Sequence, residues 1–442
     1  MVGEMNPRRA VPHFRCVGVG AGPANLSLAS LLHGLPDAPN LFIDRKDRFS
    51  WHDGQQLSGA SLQVSLFKDL VTLADPTNPF SFLAYLHASG KIYHFLNARF
   101  EAVPRQEFRN YLEWASRRNE NVVFGEEVRQ VEFDGHFLVH TDRRTVSADN
   151  LVLGVGSHGW TPPPARDCLG RTQFHVADFA TRAVGLKDRR VCVVGGGQSG
   201  AEAFLDLISR PDTERPARVT WVSRRANFFP IDDSPFTNEY YVPDHSDYFA
   251  SLDRDTRSAF TERHVLTSDG ISESTLREIY QRLYLLRFVA SGGGRPTFDL
   301  LPNRHVREVK GSDANGWELT LDHHEQPFAA ETLACDTVVW ATGFRPAGTE
   351  FLAPLADRLE RAGTEYRIDR DFAVVWDGPA DRNIFLQNAA LQQRGLADPN
   401  LSLNAWRSRR IADRILGTRS SDPHPSFVQW AADLPGTDDQ EA

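Results

Sequence analysis

The sequence predicts an α/β protein carrying two β–turn–α–β units of the kind that bind dinucleotides. Two observations lead there. A glycine-rich turn at Gly20-Ala-Gly22 is followed, 175 positions later, by a second at Gly195-Gly-Gly197. Each turn also stands between a β-like apolar run and a helical pattern, the context that separates a nucleotide-binding turn from a chance glycine cluster. Together they imply two Rossmann-like domains, one for FAD and one for NADPH, and a chain of 442 residues leaves room for about one further region.

In chain order, Phe14-Arg-Cys-Val-Gly-Val reads as a buried strand, Gly20-Ala-Gly22-Pro23-Ala-Asn25 as the turn, and the following Leu-Ser-Leu-Ala as a helix. Asn40-Leu-Phe-Ile-Asp44 is the next strand. Asn150-Leu-Val-Leu-Gly154-Val-Gly156 and Asp336-Thr-Val-Val-Trp-Ala341-Thr342-Gly343 each read as a strand entering a glycine turn, where the chain passes between the two domains. Arg190-Val-Cys-Val-Val enters the second turn, Gln198-Ser199-Gly200 opens its helix, and Arg218-Val-Thr-Trp-Val is the strand beyond. Residues from about 227 to 290 are helix-rich, with apolar spacing of three and four in Ser274–Tyr284. Ser291–Pro296 reads as a linker, and the stretch beyond Gly417 as partly loose. The expected domains are residues 1–185 for FAD, 186–345 for NADPH with the helical insertion at 227–290, and 346–442 returning to the FAD domain before a tail.

In such turns the first glycine permits the tight bend, the second lets the backbone approach a pyrophosphate, and the third position packs helix on strand. The ends of the two second strands separate the cofactors. Asp44 can accept hydrogen bonds from a ribose diol, the pattern expected for FAD or NAD. The second unit ends in Ser223-Arg224-Arg225, where an acid would repel a 2′-phosphate and guanidinium groups can clamp it. FAD is therefore expected in the first unit and NADPH in the second.

Composition excludes several classes. With 49 basic and 58 acidic residues the net charge is −9, which disfavours a nucleic-acid partner. No run approaches the ~20 apolar residues of a membrane helix, and no leader is evident, so a cytoplasmic protein is expected. Cys16, Cys168, Cys192 and Cys335 form no CxxC pair, which removes the disulfide reductases. Asp232-Asp233 has no histidine partner in its pattern, so no metal is expected. The FxGxxxHxxx(W/P) fingerprint of broad-specificity flavin monooxygenases is not met, because Gly170 and His175 are five apart and Cys168 stands where Phe belongs.

Residues 14 to 418 resemble the N-hydroxylating flavin monooxygenases of siderophore pathways, which act on lysine N6, ornithine N5 or diamines. The resemblance rests on Gly20–Leu28, Trp51-His52, Gln63-Val-Ser-Leu-Phe-Lys68-Asp-Leu-Val-Thr, Asp75-Pro-Thr-Asn-Pro-Phe-Ser-Phe, Asp232–Glu239, Ala341–Phe344 and Leu396–Arg407. Thr267-Ser268-Asp-Gly-Ile-Ser272 and Tyr93-His-Phe-Leu are similar to the aerobactin-type lysine enzymes. The family implies that NADPH reduces FAD, that O2 is trapped as a C4a-hydroperoxyflavin while NADP+ is retained, and that a neutral amine attacks the distal oxygen. It implies Gln63 beside the flavin and substrate, and Trp51, His52, Asn400, Leu401 and Ser402 lining the flavin. Lys68 would bind a substrate carboxylate, Asn238 the amino-acid head, and Ser268 and Ser402 would also lie at the substrate. A homo-dimer or homo-tetramer is implied as well. Lysine is the leading substrate; putrescine, cadaverine and ornithine are the alternatives. Gln392-Gln393-Arg394-Gly395 departs from the family, whose members often carry a histidine in this turn.

Overall fold

The computed structural model describes residues 11–62, 64–289, 297–327, 330–420 and 426–432. Two parallel sheets dominate. In the first, strands Val122–Phe124, Asn40–Asp44, His13–Val19 and Thr145–Leu153 lie side by side in parallel, and Thr145–Leu153 continues antiparallel into His136–Thr141 and Val128–Asp134. Strand Ile384–Leu386, more than 230 residues downstream, adds in parallel to Thr145–Leu153 and returns the chain to this sheet. Burial on both faces explains the short apolar runs Leu41–Ile43 and Leu151–Leu153 of its strands.

Helix Pro23–Leu32 begins with Pro at its first turn, where the missing N–H costs nothing. Its small residues Ala24, Ser27 and Ala29 are buried, and the helix packs on helix Asn404–Leu416. Helix Arg105–Arg118 buries Phe108, Tyr111, Leu112 and Ala115, spaced for one face, against an aromatic cluster with Phe82 and Tyr85.

The second sheet is wholly parallel, in the order Phe298–Leu301, Arg218–Val222, Arg190–Val194, Thr337–Trp340, Gln173–His175. The expected boundary at residue 185 therefore falls late, because Gln173–His175 already hydrogen-bonds in this sheet. The crossings pair with one another: Ser157–Gly159 on the way out runs antiparallel to Phe344–Pro346 on the way back. An antiparallel sheet of Arg304–Ser312, Gly316–His323 and Ala330–Cys335 was not foreseen. Gly316–His323 alternates, with Trp317, Leu319 and Leu321 buried and Glu318 and Thr320 between them, a weaker signal than the glycine turns.

Helices Pro243–Ser251, Arg254–Arg263, Leu266–Asp269 and Glu273–Tyr284 make up the helical region. The expected linker at 291–296 lies outside the described residues. Of the tail, 426–432 is docked on the helical region: Ser426 donates to Glu239, and the Trp430 ring meets His245 edge-on at 4.6 Å. No helix among the described residues is long and apolar enough to cross a membrane.

Candidate active site between two nucleotide-binding turns

The first turn has the geometry of a phosphate cradle. Gly20 has φ +91°, and a Cβ there would stand 2.4 Å from the Gly154 carbonyl oxygen, so only glycine fits. A Cβ on Gly22 would meet nothing within 4 Å, and this residue caps helix Pro23–Leu32 without a side-chain acceptor. Open space at an uncapped helix N-terminus suits a pyrophosphate. Asn25 supports the turn from behind: its Nδ2 donates to the carbonyls of Val19 (3.1 Å) and Gly20 (2.8 Å), and its Oδ1 accepts from Gln387 at 2.8 Å. Its amide thus holds the turn rather than reaching into the cradle. Asp44 accepts from the backbone N–H of Ala21 and of Lys46, each at 2.9 Å, which fixes its carboxylate at the strand end.

The second turn is tighter. Gly195 has φ +141°, with its Cβ position 1.9 Å from the Ala341 carbonyl; Ala341 itself donates to Val194 at 2.7 Å. A Cβ on Gly200 would lie 2.2 Å from the Gly195 carbonyl, and Gly197 caps helix Gln198–Ser209 without a side-chain acceptor. The two arginines are placed differently. Arg225 Nη1 donates to the carbonyls of Gly196 (3.1 Å) and Asp269 (2.8 Å), pinning the turn to the helical region. Arg224 is exposed and has no ion pair among the described residues, so it is the guanidinium open to a phosphate. Gln198 accepts from the Ser272 amide and donates to Glu202, while Ser199 Oγ accepts from Gln55 at 2.9 Å. Thr342 donates to the Trp160 carbonyl at 2.5 Å, and the Gly343 carbonyl accepts from the Trp160 amide at 2.9 Å. These two residues hold the crossing strands together.

Several expected substrate residues converge. Lys68 Nζ donates to Ser402 Oγ at 2.9 Å, and Asn400 Oδ1 accepts from the amide and hydroxyl of Ser402. The same Nζ lies 5.8 Å from the centre of the Tyr241 ring, whose hydroxyl donates to the Thr267 carbonyl beside Ser268. Lys68 has no carboxylate partner among the described residues, and burial lowers its pKa. Ser268 Oγ bonds the Val265 carbonyl and Asp269. Asn238 is exposed, and its Nδ2 turns onto its own loop at the Asp233 carbonyl. Gln63 lies outside the described residues.

Trp51 meets His52 and Phe108, and Leu401 packs into the same aromatic cluster. His52, at φ +49°, is bound to Gln55 at 3.0 Å, and burial lowers its pKa so that the ring stays neutral. The departing turn does not reach this cluster. Gln393 donates to the Tyr366 carbonyl, and Arg394 pairs with Asp247 and covers Phe372. The motifs did not reveal Tyr241, Gln387, Arg105 or Glu202. Arg105 and Glu202 had one signal, a charge on the buried face of an amphipathic helix.

The described cysteines are all free, and burial pushes the thiols of Cys16, Cys192 and Cys335 up. His13, His136 and Asp149 bring three potential ligand atoms within 4.8 Å of one another. However, Arg15 and Arg382 stand 3.6 and 3.4 Å from the same carboxylate and oppose a cation.

Two glycine turns, each opening a helix beside its own sheet of parallel strands, define a protein that binds two dinucleotides. Residues 12–346 match the L-lysine 6-monooxygenase/L-ornithine 5-monooxygenase family. The chain is 38% identical to the L-lysine N6-monooxygenase of Escherichia coli, over 94% of this chain and 97% of that one. Among solved structures, it resembles the FAD-bound cadaverine monooxygenase of the desferrioxamine pathway from Erwinia amylovora, with TM-score 0.85, 27% identity, and coverage of 94% and 99%. It also resembles a Kutzneria ornithine N-hydroxylase solved with reduced FAD, NADP+ and L-ornithine, with TM-score 0.82, 30% identity, and coverage of 92% and 99%. The chain belongs to this family of FAD- and NADPH-dependent N-hydroxylating monooxygenases.

Proposed function

We propose that the chain hydroxylates the terminal primary amine of L-lysine, consuming NADPH and O2. One observation carries the choice of an amino acid over a diamine: Lys68 is a partly buried cation with no carboxylate partner among the described residues. A cation withdrawn from water needs a counter-charge. A substrate carboxylate supplies one, and a diamine does not. The 38% identity to the Escherichia coli lysine enzyme points the same way.

The residues present fit both cofactors, with Gly20, Gly22, Pro23 and Asp44 to hold FAD and Gly195, Gly197 and Arg224 to hold NADPH. When bound, these supply the reducing equivalents and the O2-derived oxygen. The chain's own part is placement and desolvation. Lys68, seated between Ser402 and the Tyr241 ring, takes the carboxylate. Asn238 swings from its loop to the amino-acid head. Ser268 offers a neutral oxygen at the far end. An amine with a reference pKa of about 10.4 is protonated in water, and an apolar pocket with a neutral acceptor favours the form that keeps its lone pair. The proton is released to solvent before attack, so no dedicated base is needed.

The test is hydroxylamine formed per NADPH consumed, across lysine, ornithine, putrescine and cadaverine. Lysine should couple best. Lys68→Ala should raise the KM for lysine at least 10-fold, the cost of a charged hydrogen bond, and leave a diamine's KM nearly unchanged. Turnover of diamines alone, or equal effects on both substrates, refutes the reading.

A further inference from the structure

Arg105 opens helix Arg105–Arg118, which packs among the aromatic residues of the first unit. Glu202 lies one turn into helix Gln198–Ser209, which follows the second glycine turn. Their side chains meet in a two-pronged ion pair, Nη1 to Oε2 at 2.8 Å and Nη2 to Oε1 at 2.7 Å. The side chains are only 14% and 8% exposed. The guanidinium also donates to the Gln55 carbonyl at 2.9 Å, and Gln55 Nε2 reaches Ser199 at 2.9 Å. Glu202 Oε1 accepts from Gln198, which holds the Ser272 amide of the helical region. One buried polar knot therefore joins the FAD-side helix, the first turn of the NADPH-side helix and the helical region.

We propose that Arg105 and Glu202 are positioning residues that set the orientation of the NADPH unit against the FAD unit, and so the alignment of the two bound cofactors. Desolvating an ion pair costs as much as the pair returns, so stability alone does not account for it; an apolar pair of similar volume serves that purpose equally well. What a guanidinium–carboxylate fork adds is a fixed mutual angle. Alignment is where that angle acts, because a displacement of about 1 Å between reacting groups can cost roughly 100-fold in rate. The inference rests on the family's FAD and NADPH chemistry and is independent of which amine is hydroxylated.

The test compares Arg105→Lys, which keeps the charge and loses the fork, with the double variant Arg105→Met/Glu202→Met, which keeps the volume and leaves no unpaired charge. Spin labels at Arg129→Cys and Glu214→Cys, one on each unit in a Cys168→Ser background, report the distance between the units in the full chain, with and without FAD and NADP+. Anaerobic flavin reduction by NADPH and reoxidation of dithionite-reduced enzyme by O2 are followed separately. Both variants should broaden the distance distribution and slow reduction at least 10-fold, with FAD content and reoxidation unchanged. An unchanged distribution overturns the proposal even if reduction slows, and so does a broadened distribution with normal reduction. Loss of FAD in the double variant also overturns it, because the pair would then serve the fold itself.

Discussion

The two glycine turns are alike in sequence and differ in how far their support reaches beyond their own unit. The first is backed by its own unit: Asn25 is held by Gln387, and the buried Arg407 beside it pairs with Asp398 and spans to Asn388. The second has support from its own sheet, Trp221 donating to the Gly195 carbonyl at 2.7 Å, and is held from outside as well. Ser199 is bound by Gln55, Glu202 by Arg105, Gln198 by Ser272, and Gly196 through Arg225 to Asp269. A cradle built into its own core stays fixed relative to that core. A cradle held by its neighbours takes its position from them. The first arrangement suits a cofactor bound throughout, and the second suits one that must be brought into alignment.

The contrast can be broken most severely at Arg407. Its side chain and that of Asp398 are both fully buried, and Arg407→Met strands the carboxylate, so a loss of ~3–5 kcal/mol is expected in urea unfolding. FAD content should fall with it.

The helical region beside the second turn carries a pH dependence of its own. His245 is buried among Tyr240, Phe260 and Trp430 with no hydrogen-bond partner on Nε2 among the described residues, and burial lowers its pKa from 6.5 to about 4. The ring is neutral in the fold and protonated in the unfolded chain below pH 6.5, so stability is full above 6.5 and falls as pH drops toward 4. The loss should approach ~3 kcal/mol in thermal or urea melts. His245→Phe should flatten the profile in that window; a profile as steep as the parent's assigns the effect elsewhere.

Within the first turn, Gly20→Ala forces a side chain into positive φ against Gly154 and should cost at least ~1–3 kcal/mol. Gly22→Ala, with open space around the new methyl, should change stability by under ~0.5 kcal/mol while weakening FAD binding, as read by flavin titration of the apoprotein. The smallest effect separates the two arginines. Arg224→Ala should weaken NADPH about 5-fold, near 1 kcal/mol, without changing NADH. Arg225→Ala should weaken both, because it releases the turn itself.

Much of this was legible in the residues. A glycine turn announces itself because backbone sterics allow no substitute, and an acid or an arginine at the next strand end follows from the charge of the group it meets. Lys68, Ser402 and Asn400 were picked out by motif and do lie together. Asn25 was picked out as a flavin contact, and its amide proves to be engaged by the turn and by Gln387, a residue 362 positions away. The helical region could be read from its periodicity. The antiparallel sheet of residues 304–335 could not, since its strands are half-exposed and the register shifts between Val306 and Glu308.

The sequence by itself determined the two-unit plan, because glycine turns and strand–helix periods are local constraints of φ and spacing, and its motifs carried the family resemblance that implies the class of chemistry. Only the tertiary structure decided how far the support of each turn reaches beyond its own unit. Arg105 and Glu202 are 97 positions apart, and Lys68 and Ser402 are 334 apart. No local pattern encodes such pairs, because burial and the approach of distant elements create the low-polarity setting in which a single charge must find its one partner.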